Sequence, residues 1–141
     1  MPIKKLLVAY DGSAGAKEAM RVAIELAASL GGTLAAVWVR SALPHYPETP
    51  SEVSEESEAA EAFFTKLGQD VDRFAQDAGI DIAFQMVAGN SAQTILTVAK
   101  EEAVHLIVVG NRGHSGLWDR LLGHTADRVS ENAHCSVLIV R

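Results

Sequence analysis

The stretch GNRGHSGLWDRLLGHTADRV, residues 110–129, decides how the rest of the chain reads. It follows VHLIVV, residues 104–109, whose unbroken apolar character predicts a buried strand. It leads into a helix predicted over residues 125–133. Gly110, Gly113 and Gly116 recur at spacing three and Gly123 follows, so the link from strand to helix is rich in glycine. Links of this kind cradle phosphate in α/β proteins. Without side chains the backbone approaches an anion closely and turns N–H groups toward it. The helix that follows adds free N-terminal amides and the positive end of its dipole.

Upstream the same alternation of strand and helix repeats. Residues 3–10 are apolar and stop at Asp11-Gly12, as a central strand buried on both faces would. Ser13 is placed to cap a helix in which Ala16, Ala19, Met20, Ala23, Ile24, Ala27 and Leu30 recur at helical spacing before Gly31-Gly32 stops it. Residues 33–39 form a second strand. Residues 40–50, with Pro44, Pro47 and Pro50, read as an exposed loop. Residues 52–61 carry five glutamates and read as a solvated, acidic helix start, so that 40–60 is expected to be loop and acidic helix start together. That helix continues through Phe63, Phe64, Leu67, Val71 and Phe74 to Gly79, with both Phe63 and Phe64 expected in the core. Residues 80–87 alternate in the manner of an edge strand. Gly89-Asn90-Ser91 turns the chain into a helix bearing Ile95, Leu96, Val98 and Ala99, and Ser136–Val140 is the last strand. Five strands alternating with four helices predict a right-handed, parallel α/β sandwich.

A length of 141 residues predicts one domain over 1–141, and 48% hydrophobic residues supply one core. The net charge of −6 argues against a general nucleic-acid surface, yet a single nucleotide needs only a local cluster of donors. The lone Cys135 excludes an intrachain disulfide and reads as a buried, inert thiol. No apolar run is long enough for a signal-peptide core or a membrane span, so a cytoplasmic protein with no membrane partner is expected.

The chain resembles the universal stress protein family. Its ATP-binding members carry Gly, two residues, Gly, nine residues, then Gly followed by Ser or Thr. Gly110, Gly113 and Gly123 fall on that spacing, with His124 where the family has a hydroxyl and Thr125 one place later. The segments LLVAYDGS, VAGNSAQTI and SVLIVR also look like family segments, and the resemblance covers essentially the whole chain. It implies a three-layer α/β/α sandwich, Rossmann-like and of the adenine-nucleotide-binding type, with strand order 3-2-1-4-5. Ligands then bind where strands 1 and 4 part, beyond their carboxyl ends. It further implies ATP, with Mg²⁺ or Mn²⁺, held by Asp11 and the backbone of Val39 at the nucleoside. Gly110, Gly113, Gly123 and Thr125 would lie along the phosphates. A homodimer through Ser136–Val140 and a regulatory protein partner complete the expectation.

Each residue has a plainer reading beside this one. Asp11-Gly12-Ser13 is ordinary turn chemistry, although a strand-end carboxylate also suits ribose hydroxyls or a phosphate-bound cation. Arg112 and Arg120 are phosphate partners by type but also ordinary solvated side chains. His124 either donates to phosphate in place of the family hydroxyl or partly fills the pocket. Trp38 reads as core. His114, His124 and Asp119 match no zinc spacing. Walker, dinucleotide and nucleophile-elbow motifs are absent from the sequence, and no general base for water stands out. A regulatory nucleotide binder with slow or no hydrolysis is therefore expected. A dimeric interaction module without nucleotide is the alternative, and autophosphorylation on a loop hydroxyl is a third.

Overall fold

The computed structural model describes residues 2–41, 49–111 and 118–141, with only the backbone of 118–124. Strands and helices alternate as β1 (Lys5–Ala9), α1 (Ala14–Leu30), β2 (Thr33–Arg40), α2 (Pro50–Ala78), β3 (Ile82–Ala88), α3 (Ser91–Glu101), β4 (Leu106–Gly110), α4 (Trp118–Asn132) and β5 (Ser136–Val140). The sheet has the order β3-β2-β1-β4-β5 and every pairing is parallel, as expected. Leu6, Leu7 and Val8 of β1 and Leu106 to Val109 of β4 are buried, because helices cover both faces of the middle of the sheet. Helices α1 and α2 pack on one face around Met20, Ala23, Leu67 and Val71. Helices α3 and α4 pack on the other around Ile95, Val98, Ala126 and Val129.

Local chemistry sets the helix ends. Ser13 Oγ accepts from the Ala16 amide at 3.2 Å, and Gly31, at φ 63°, closes α1 in the left-handed region. Thr49 caps α2 by accepting from the Glu52 amide at 3.2 Å. Pro50 therefore opens α2 and does not end the preceding loop. Its missing N–H falls where no intrahelical partner exists. The rest of the expected loop, 42–48, lies outside the described residues. β3 starts at Ile82, two residues later than expected, because the Ile80 amide still donates to Ala75 O, at 3.1 Å, in the cap of α2.

The larger departure is at α4. The helix starts at Trp118, seven residues before the expected 125, so Gly123, His124 and Thr125 all belong to it. Apolar residues 118, 121, 122, 126 and 129 recur at helical spacing. That periodicity carries the helix through Gly123, whose interior cost is about 1 kcal/mol.

The 29 residues of α2 make it much longer than the strands it covers. At 1.5 Å per residue it spans about 43 Å, against about 26 Å for the eight residues of β2. Its buried positions, Ala60, Leu67 and Val71, start ten residues in. The helix runs from the end of β2 to the start of β3, so the excess projects past the carboxyl edge of the sheet.

Candidate functional site

Strands β1 and β4 are neighbours whose following helices pack on opposite faces, α1 on one and α4 on the other. A cleft opens beyond their carboxyl ends. It is lined by Tyr10, Asp11 and Ser13 after β1, by Val37, Trp38 and Val39 of β2, by Val109 and Gly110 of β4, and by Ser91, Ile95, Thr125 and Ala126 of α3 and α4. Four residues singled out in the sequence, Asp11, Val39, Gly110 and Thr125, thus meet around one space. Arg112 and Gly113 lie outside the described residues, and Arg120, Gly123 and His124 are described only as backbone of α4.

Asp11 is half-buried, and its Oδ1 accepts from the Ser13 amide at 2.9 Å. The turn reading of this residue is therefore realised in the structure. Gly12, at φ 83°, completes the turn, and a Cβ there would come within 2.8 Å of Leu67 Cδ2. The turn is thereby pressed against α2.

Val39 offers backbone. Tyr10 N–H donates to Val37 O at 2.8 Å, where β1 ends. Alternate residues of a strand direct their amide and carbonyl to the same side. The Val39 N–H and C=O therefore face the side of β1, but beyond its last strand residue, Ala9, which pairs with Val37. A donor and an acceptor side by side are what the edge of an adenine ring engages.

Gly110 has a packing reason to be glycine. A Cβ built on it would fall 2.7 Å from Gly15 O, so the end of β4 touches the first turn of α1. The next amide, Asn111 N–H, donates to Val140 O at 2.7 Å and continues the β4–β5 ladder. The first N–H beyond β4 is thus committed to the sheet and not presented to an anion.

The sequence alone does not single out Tyr10, although it stands directly before Asp11. It is 1% exposed and its hydroxyl donates to Asp70 Oδ2 of α2 at 2.9 Å. Its ring meets Phe74 and Phe84 edge-on, at centroid separations of 6.1 and 6.3 Å. Burial, then the hydrogen bond to Asp70, pushes its pKa well above the usual tyrosine range. Trp38 rests on α2 as well, 5.0 Å from Phe63 and 6.5 Å from Phe64, ring to ring. Phe63, expected in the core, is 39% exposed because it lies where α2 leaves the sheet. Among the described residues no group of three or more His, Cys, Asp or Glu side chains could hold a metal ion. Helices among them long and apolar enough to cross a membrane are absent too.

A family model for the universal stress protein family matches residues 2–141, and the chain belongs to that family. The universal stress protein MJ0531 of Methanocaldococcus jannaschii is 34% identical over 140 residues, covering 98% of this chain and 82% of its own. Among solved structures, UspA of Lactobacillus plantarum superposes with a TM-score of 0.87 at 23% identity, covering 100% of this chain and 99% of its own. A universal stress protein in complex with cAMP gives 0.72 at 24% identity, over 100% and 99% of the two chains. A family protein from Arabidopsis thaliana with AMP bound gives 0.68 at 17% identity, over 97% and 90%. At these identities the structural likeness establishes the fold.

Proposed function

We infer that this chain binds an adenine nucleotide in the cleft between β1 and β4, with ATP the form expected, and acts as a nucleotide-dependent regulatory protein. One observation carries the reading: Asp11, the backbone edge of Val39, Gly110 and Thr125 converge on a single cleft at the switch point of the sheet. The nucleotide-bound relatives, one with cAMP and one with AMP, support it. Val39 reads adenine through its N–H and C=O. Asp11 receives ribose hydroxyls. Thr125, with Gly113, Gly123, Arg112 and His124, borders the phosphates. The donor set suits a cation carried by the phosphates, since Asp11 is the one carboxylate among the described residues that line the cleft. Mg²⁺ or Mn²⁺ would there neutralise phosphate charge. Asp11 Oδ1 is engaged by the Ser13 amide, and among the described residues no second carboxylate lines the cleft to activate water, so binding with little hydrolysis is expected.

Asp11→Asn tests this reading. Asparagine keeps an oxygen for the Ser13 amide and so preserves the turn, while removing the charge. Calorimetric titration with ATP and Mg²⁺ is expected to show about a tenfold loss of affinity at unchanged melting temperature. Equal affinity in the two proteins would remove Asp11 from the site.

A second reading, a dimeric interaction module, rests on β5. This edge strand carries Val137, Leu138, Ile139 and Val140, all half-buried, and among the described residues no strand lies beside its outer backbone edge. Pairing with β5 of a second copy would cover that edge and give a two-fold dimer. The strand's backbone would supply the hydrogen bonds.

A further inference from the structure

Away from the cleft, an open groove of ≈ 440 Å³ runs between α3 and α4. Lys100, Arg128 and His134 line it, with Asn90, Gln93 and Leu96, and among the described residues no carboxylate does. The chain as a whole has 18 acidic residues against 12 Lys and Arg, so this local balance runs against its overall charge. Lys100 sits in the last turn of α3, where a cation also complements the helix dipole. Arg128 and His134 come from α4 and the turn after it, and a dipole effect on α3 does not explain them. Arg21 pairs with Glu18 on α1, away from this groove.

The opposite charge lies on the N-terminal half of α2. Glu55, Glu58 and Glu61 are exposed and follow one another at spacing three, so they form one row on the helix. Like charges at that spacing repel and weaken a helix, and no Lys or Arg occurs in α2 before Lys66. The row from Glu55 to Glu61 rises about 9 Å along α2, and Asn90 to Lys100 along α3 rises about 15 Å, so the row fits within the groove. Helix α2 and the α3–α4 pair cover opposite faces of the sheet. Row and groove therefore cannot meet within one molecule.

We propose that the α3–α4 groove receives the acidic N-terminal half of α2 from a second copy of this chain. The charges are opposite, and the row is short enough to lie within the groove. The contact is head-to-tail, distinct from any two-fold pairing of β5. At physiological ionic strength screening acts over about 8 Å, which weakens the long-range repulsion between two anionic chains more than it weakens charges in contact.

Sedimentation velocity of the full chain, over a range of protein and salt concentrations, reads the contact. Wild type is expected to form concentration-dependent species that dissociate as salt rises. Lys100→Glu/Arg128→Glu and Glu55→Lys/Glu58→Lys/Glu61→Lys are each expected to lose those species. Mixing the two variants restores association, because a basic row on α2 then meets an acidic groove. Lys66→Glu/Arg73→Glu, with the same net charge as the groove variant but no change in the groove, associates as wild type does. Any dimer formed through β5 survives in all of them and resists salt. A groove variant that associates like wild type overturns the proposal. So does a mixture that stays dissociated, or a wild type with no salt-sensitive species.

Discussion

Gly110 at the end of β4 lies so close to Gly15 in the first turn of α1 that a Cβ on Gly110 would sit 2.7 Å from the Gly15 carbonyl oxygen. Two backbones from opposite ends of the sequence touch here, beside the cleft. Gly110→Ala is expected to push the first turn of α1 away and to cost about 1–3 kcal/mol. Urea unfolding measures the loss. Stability equal to wild type would mean that the turn yields without strain.

Tyr10 ties the cleft to α2. Tyr10→Phe removes the hydroxyl that reaches Asp70 and leaves the ring contacts with Phe74 and Phe84. A loss of about 1–2 kcal/mol is expected. The pH dependence has a definite sign. The folded protein holds the Tyr10 proton more tightly than the unfolded chain does, so its contribution is complete below the unfolded tyrosine value, about 10, and is lost as pH rises beyond it. Wild type should lose stability above about pH 10 more steeply than Tyr10→Phe. Parallel curves would contradict the assignment.

Cys135 is half-buried, and burial raises its thiol above the usual range even though a backbone hydrogen bond involving Ile107 opposes the shift. Less thiolate forms at a given pH, and a thiol-directed reagent should label the native protein far more slowly than the urea-unfolded protein. Equal rates would show an open, reactive thiol.

Gly123 is expected to matter for binding rather than for folding. Gly123→Val within α4 should abolish ATP binding while the far-ultraviolet circular dichroism stays that of wild type. Unchanged affinity would remove the glycine-rich link from the phosphate site.

The sheet order, the parallel sandwich and the meeting of Asp11, Val39, Gly110 and Thr125 are legible in the sequence. Apolar runs mark the central strands, turn residues mark their ends, and the family resemblance supplies the order. Contacts between segments far apart in the chain are not legible. Tyr10 and Asp70 are 60 positions apart. His105 Nδ1 accepts from the Lys4 and Lys5 amides, each at 3.1 Å, at a separation of about a hundred. Neither Tyr10 nor His105 carries a local pattern that names its partner. The start of α4 is hidden because Gly123 looks like punctuation, whereas the apolar periodicity on both sides of it keeps the helix intact. The overhang of α2 is hidden for a related reason. Sequence shows where a helix continues but not where the sheet beneath it ends.

The most direct measurement of the central claim is of nucleotide itself. Freshly purified protein is denatured and the released small molecules are identified by mass, then protein stripped of ligand is titrated with ATP and Mg²⁺ by calorimetry. Retained adenine nucleotide, or saturable heat with a dissociation constant in the micromolar range, is the predicted result. No released nucleotide and no heat on titration would contradict it, and the dimeric module built on β5 would stand in its place.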